Sequence, residues 1–245
     1  MRRAAIMDEH DEDRDLASVM FDLMSGMFFV LILTLIAYTF NFTSNFDYRQ
    51  GVAQEMSETI ARRSFIVQEV SRELRRRGVA HDTRPREGVI AFSESAIGFP
   101  SGAARLDARG LEMTRRTAAA LAAVLPCYTD LTEARATGLG CSRDQIGQLH
   151  GIEIEGHTDN VPVRENGRVI DNLDLSVLRA AAVVRALERH GPLARLRTDG
   201  ADAVFSAAGF GDRRPVRAHA TPVSDPRNRR VEMRFALRGP NFFAP

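Results

Sequence analysis

The chain has 245 residues and a formal net charge of +1, from 33 basic and 32 acidic side chains, and every basic residue is Arg. That length holds one domain of ordinary size plus extra segments, and a domain of roughly 150 residues can bury a sizeable core without metals or disulfides. The balanced charge excludes a global field that would recruit nucleic acid or anionic lipid, so partners must come from local features.

Residues 1–15 carry Arg2, Arg3 and Arg14 and an acidic cluster of Asp8, Glu9, Asp11, Glu12, Asp13 and Asp15. They are expected to form a solvated, disordered cytoplasmic tail. Residues 16–42, LASVMFDLMSGMFFVLILTLIAYTFNF, contain one charge, Asp22. Even counted from Leu23, the run gives 20 uncharged residues, enough for a helix to cross a hydrocarbon core of about 30 Å. It is longer than a signal-peptide h-region and no small-x-small site closes it, so a retained transmembrane helix is the expectation. With only Arg49 on the far flank over 43–60, the Arg asymmetry orients the N-terminus inside and the rest outside. Asp22 has two readings. It is a carboxylate inside the span, or it is the N-cap of a span that starts at Leu23.

Residues 43–87 read as a periplasmic helical linker. Ala53, Ile60, Val67 and Leu74 recur every seven residues, with Met56 and Val70 at the second apolar position and Arg63 interrupting. Such a helix over 53–77 either pairs two chains or packs on the domain behind it. Gly78 is a stop signal, and Arg84-Pro85-Arg86 marks a turn.

From residue 88 to 238, strands and helices alternate. A strand starts at GVIAF, and a helix covers 107–125 with Leu111, Ala118, Leu121 and Leu125 inward. A strand follows at Ile152, then a helix over 172–190. AVFSAAGFG is a strand, and NRRVEMRFAL is a last strand with Val231, Met233 and Phe235 alternating. The fold class is α/β, a sandwich with a mixed sheet and helices on one face. Residues 239–245 are a C-terminal tail. Cys127 and Cys141 are expected to form a disulfide in an oxidising compartment, the alternative being two free thiols.

The densest chemistry lies between Gly156 and Arg179. Leu173, Val177, Ala180, Val184 and Leu187 form an apolar stripe on the second helix, with Asn172, Leu175 and Arg179 on its flank. A ligand with a carboxylate and a short aliphatic stem fits that flank, and Asp159 complements an ammonium on the same ligand. The plainer alternative makes Asn172 a helix cap and Arg179 a surface ion pair. His157 near Asp159 raises a metal pair, and Ser176 near Asp159 a hydrolase, but an oriented nucleophile and base are not evident. No enzymatic activity, metal or cofactor is expected.

The stretches IEIEGHTDNVPV, NLDLSVLRAAAVV, SAAGFGDRRPV and NRRVEMRF resemble, in order, the signature blocks of the OmpA-like peptidoglycan-binding domain. The resemblance implies that Asp159 and Arg179, with Asn172 and Leu175 beside them, hold the diaminopimelate residue of the wall peptide, and that His157 is a structural strand-end residue. A long loop over 161–171 departs from the family pattern. FDLMSGMFFVL is similar to the membrane segment of the B subunits of ion-driven stators, the family that includes flagellar motors and Zorya anti-phage units. This resemblance implies that Asp22 carries H+ or Na+, that two copies of the chain form a homodimer, and that a multi-span A subunit surrounds them as a ring of five. The acid-rich tail and short linker depart from the flagellar type and point to a Zorya-like defence stator. A flagellar-motor stator B subunit and a passive tether of the inner membrane to the wall remain the alternatives, and the tether has no use for an intramembrane carboxylate.

Overall fold

The structure is a computed structural model that describes residues 2–129, 140–142, 145–165, 168–198 and 202–239. It divides into two compact units, Met1–Glu55 and Met56–Pro245. The tail expected over 239–245 lies, from 240 on, outside the described residues.

A single helix, α1, covers Arg2–Arg76. The tail expected to be disordered is therefore helical in its backbone. No Gly or Pro occurs before Gly26, and the helical span that follows removes the cost of separate nucleation. In the first unit α1 is long and apolar enough to cross a membrane, with a window of mean hydropathy 2.3 that is not buried within the chain. The hydroxyls of Thr34, Thr39 and Thr43 donate to carbonyls three and four residues back, which satisfies them without water.

In the second unit the last turns of α1 belong to the domain. Ile66, Val67, Val70 and Leu74 are fully buried in the main core, so the linker expected over 43–87 ends well before residue 87. Of the two roles open to the heptad stripe, its second half packs on the domain. Arg63, which breaks the stripe, donates to the carbonyl of Arg86 at 2.6 Å. The helix closes as expected at Gly78, which has φ 68°. The N–H of Gly78 bonds to Arg75 O and that of Val79 to Leu74 O, the paired bonds of a Schellman motif.

The sheet contains β1 (Asp82–Arg84), β2 (Val89–Ser93), β3 (Leu149–His157), β6 (Phe205–Gly211) and β7 (Arg230–Leu237), in the order β1-β2-β7-β3-β6. Only β3 and β6 pair in parallel, so the sheet is mixed. Among the described residues the helices α2 (Glu94–Ile97), α3 (Ala108–Val124) and α4 (Asn172–Glu188) lie between these strands. A short α5 (Gly191–Ala194) follows α4. Ile90, Phe92, Ile152, Ile154, Val231, Met233 and Phe235 share one sheet face and pack with α1, α3 and α4 in a single core. Each of these large side chains contributes roughly 1.5–3 kcal/mol on burial.

Two apolar assignments shift. On α3, Leu111 faces solvent while Ala118, Leu121 and Leu125 are buried. On α4, Val177 is exposed, and the buried positions are Leu175, Ser176, Arg179, Ala180, Val183 and Leu187. The stripe lies closer to the polar flank than hydrophobicity alone places it, because α4 presses its Ser176 edge onto two glycines of the sheet. A Cβ on Gly156 would lie 2.1 Å from Ser176 O, and one on Gly209 would lie 2.4 Å from Val177 Cγ2. The loop over 161–171 contains a small hairpin, β4 (Val163–Glu165) paired antiparallel with β5 (Arg168–Ile170). Cys127 and Cys141 are joined by a disulfide.

Candidate functional site

Asp159 follows the C-terminal end of β3, at the point where the core strand gives way to a turn. It is almost buried. Its Oδ1 accepts from Val161 N at 3.3 Å, and its Oδ2 accepts from Asp225 N at 3.3 Å and from Arg229 Nη1 at 2.6 Å. The neighbouring Asn160 ties the loop between β6 and β7 to this turn. Its amide donates to His219 O and Thr221 O, and its carbonyl accepts from Val223 N.

Arg179 enters from the second turn of α4 and is only 4% exposed. Its Nε donates to Ala103 O at 2.9 Å and its Nη2 to Pro100 O at 3.3 Å, with Glu94 Oε1 at 3.1 Å and the Phe99 ring at 5.1 Å. Burial pushes its pKa down, and the Glu94 carboxylate opposes that shift. The surface-ion-pair alternative is therefore overturned, since the guanidinium is buried and shared among fixed acceptors. Asn172 is not the cap. Asp171 caps α4 by accepting from Leu173 N, and the Asn172 amide instead donates to Asp159 O and Val161 O, which holds the turn that carries Asp159. Leu175, 2% exposed, lines the cavity beside Arg179.

These groups surround a cavity of about 220 Å³ lined by Ser101, Gly102, Thr158, Asp159, Val161, Pro162, Val163, Leu175, Arg179, Ser224 and Arg229. The four residues singled out in the sequence are thus brought together, three in the lining and Asn172 behind the turn. Two others were missed. Arg229 bonds Asp159 and, through Nε, Glu94. Burial lowers the Arg229 pKa, but the bonds to Asp159 and Glu94 outweigh it and leave the pKa raised. Arg229 stands inside the quoted block NRRVEMRF, so a signal existed. Glu94 gave none, since it meets its partners only across the fold.

Ser176 is fully buried; its hydroxyl donates to Leu173 O and accepts from Gly211 N, so it fixes α4 to β6. On the opposite sheet face Glu155, His157 and Glu232 bring possible metal-ligating atoms within 4.8 Å of one another. Arg234 forks onto Glu155, and Arg84 and Arg230 hold Glu232. Three guanidiniums already neutralise the two carboxylates, a poor charge environment for a divalent cation. Burial pushes the Glu155 carboxyl up, but His157 and Arg234 outweigh it and hold it at about 2. His157 stacks on Phe210 at 5.5 Å, with Arg214 over the same ring.

In the first unit, Asp22 lies well inside α1, which begins at Arg2. Six residues beyond Leu16, it is about 9 Å along the expected span. The N-cap reading is overturned, because the helix is already formed on its N-terminal side.

Residues 129–229 match the OmpA family, and that range contains every lining residue from Thr158 to Arg229. The C-terminal domain is OmpA-like. Motility protein B of Bacillus subtilis (strain 168) is 39% identical over 95 residues, which is 38% of this chain and 33% of that protein, so the chain spans about a third of its relative. Among solved structures, a putative MotB-like protein from Desulfovibrio vulgaris has 24% identity and a TM-score of 0.49, covering 76% of this chain and 98% of that one. The cell wall anchor of the T6SS from Pseudomonas aeruginosa has 23% identity and a TM-score of 0.43, covering 70% and 96%. The resemblance to stator B subunits that end in an OmpA-like domain is borne out by the family match and the motility relative. Such a domain is a binding module and not an enzyme.

Proposed function

We propose that the chain is the wall-anchoring B-type subunit of an ion-driven rotary stator in the bacterial inner membrane, with its N-terminus cytoplasmic and its OmpA-like domain in the periplasm. One observation carries the reading: an OmpA-like domain shares a chain with an apolar helical run, residues 16–42, whose one charged side chain is a carboxylate, Asp22. A carboxylate at that depth costs about 2.5–3.5 kcal/mol on insertion scales, a cost tolerated mainly along an ion path. Asp22 takes up H+ or Na+ from a water-filled route and releases it on contact with a multi-span A subunit, five copies of which surround two copies of this chain. The cavity bounded by Asp159, Leu175 and Arg179 takes the diaminopimelate residue of the peptidoglycan stem peptide, with Asn172 fixing the Asp159 turn.

Two motors fit, each on its own observation. Similarity to Motility protein B favours a flagellar stator, and the acid-rich segment before the span favours a Zorya-like anti-phage stator. Co-purification of the partner complex distinguishes them. The central test is ion flux in vesicles holding both subunits. Asp22→Asn is expected to abolish flux while expression, assembly and wall binding persist. Wild-type flux in that variant would leave only the passive tether.

A further inference from the structure

Glu94 stands behind the wall-binding cavity and does not line it, yet it touches both cations that do. Its Oε1 lies 3.1 Å from Arg179 Nη2, and its Oε2 accepts from Arg229 Nε. Arg229 in turn bonds Asp159 at 2.6 Å, so four charges alternate in one chain: Asp159, Arg229, Glu94, Arg179. A second cavity, about 250 Å³, is lined by Glu94 and shares Arg229 with the first.

The charges that face the ligand are therefore one carboxylate and two guanidiniums, a net +1 that would draw any simple carboxylate. Glu94 cancels that excess from behind. Its side chain and those of Asp159 and Arg179 are at most 15% exposed, so water screens the cancellation poorly. We infer that Glu94 is a specificity-determining residue that makes the cavity neutral and so selects an amino-carboxylate centre, ammonium and carboxylate on one carbon, over a carboxylate alone. This rests on the wall-binding reading above and adds the rule by which the ligand is chosen. Rejection comes from unfavourable charge, since a lone anion adds −1 to a neutral set while a zwitterion adds nothing.

The test uses the full-length protein in nanodiscs, bound to sacculi of the meso-diaminopimelate type. Two soluble competitors of equal carbon count are compared: meso-diaminopimelate, and pimelate, which lacks both amino groups. The wild type is expected to be displaced by diaminopimelate at concentrations at least tenfold below those pimelate needs. Glu94→Gln leaves the cavity at +1, and the gap should narrow about tenfold, chiefly because pimelate improves. Arg229→Gln leaves it at −1, and the gap should widen. A merely structural role for the two residues would move both variants in the same direction. An unchanged gap in Glu94→Gln, or shifts of the same sign in both, overturns the inference. Failure of the wild type to bind sacculi would instead overturn the wall-binding reading.

Discussion

Replacing Arg179 by Ala tests whether the buried guanidinium is a structural part of the domain as well as a ligand group. In the ligand-free protein it serves two backbone carbonyls, Ala103 O and Pro100 O, and one of the two cations at Glu94. Truncation leaves both carbonyls without a charged donor and Glu94 with Arg229 alone. Removing one member of a buried pair costs about 3–5 kcal/mol, and the remaining Arg229 puts the expectation near the lower end, about 3 kcal/mol. For a unit of this size each kcal/mol lowers Tm by about 2–4 °C, so a fall of roughly 6–12 °C is expected. The chain has no Trp, so thermal unfolding of a fragment covering 56–245 is followed by circular dichroism. Arg179→Lys, which keeps the charge but not the fork, should fall between Ala and wild type. A variant that lost sacculus binding yet unfolded within 2 °C of wild type would refute the structural half of the argument.

Other expectations follow from the same geometry. A fragment starting at residue 88 loses Ile66, Val67, Val70, Leu74 and β1, so it should show no cooperative unfolding where one starting at 56 does; within the longer fragment Leu74→Ala should cost about 2–5 kcal/mol in urea titrations. Glu155 is held at about 2 in the folded state against about 4.3 unfolded, so its contribution is complete above pH about 4.3 and lost as pH falls toward 2. That loss is on the order of 3 kcal/mol, and Glu155→Gln should flatten the slope of stability against pH in this window. For the homodimer, a Cys at exposed Met56 should crosslink two chains in native membranes, whereas one at buried Val67 should not; crosslinking through Val67 would contradict the packing of α1 on its own domain.

Local patterns carried much of this fold into the sequence. The alternation of Val231, Met233 and Phe235 marks one sheet face, and Gly78 marks the helix stop, because each depends only on neighbours in the chain. The second sheet face was less legible. Glu155 and Glu232 lie as direct partners on β3 and β7 and are buried, Glu232 under Arg84 and its strand neighbour Arg230 and Glu155 under Arg234 across the sheet, pairings that a strand pattern does not show. Strand β1 is too short to register as a strand, and it is defined by its pairing with β2. In the site, Asp159 and Arg179 were reachable through their motif blocks. Glu94 was not, since 85 residues separate it from Arg179 and 135 from Arg229. No periodicity links positions that meet only after the sheet has formed.

The contact between α4 and the sheet bears on how a mutational scan of this domain would read. Gly156 and Gly209 leave no room for one added carbon, so substitutions there should abolish wall binding as completely as substitutions at Asp159. A tolerance map would then outline a larger footprint than the ligand touches, extending inward along α4. Measured as folded protein in the fragment covering 56–245, the two groups separate: the glycine variants are lost, and the Asp159 variants remain.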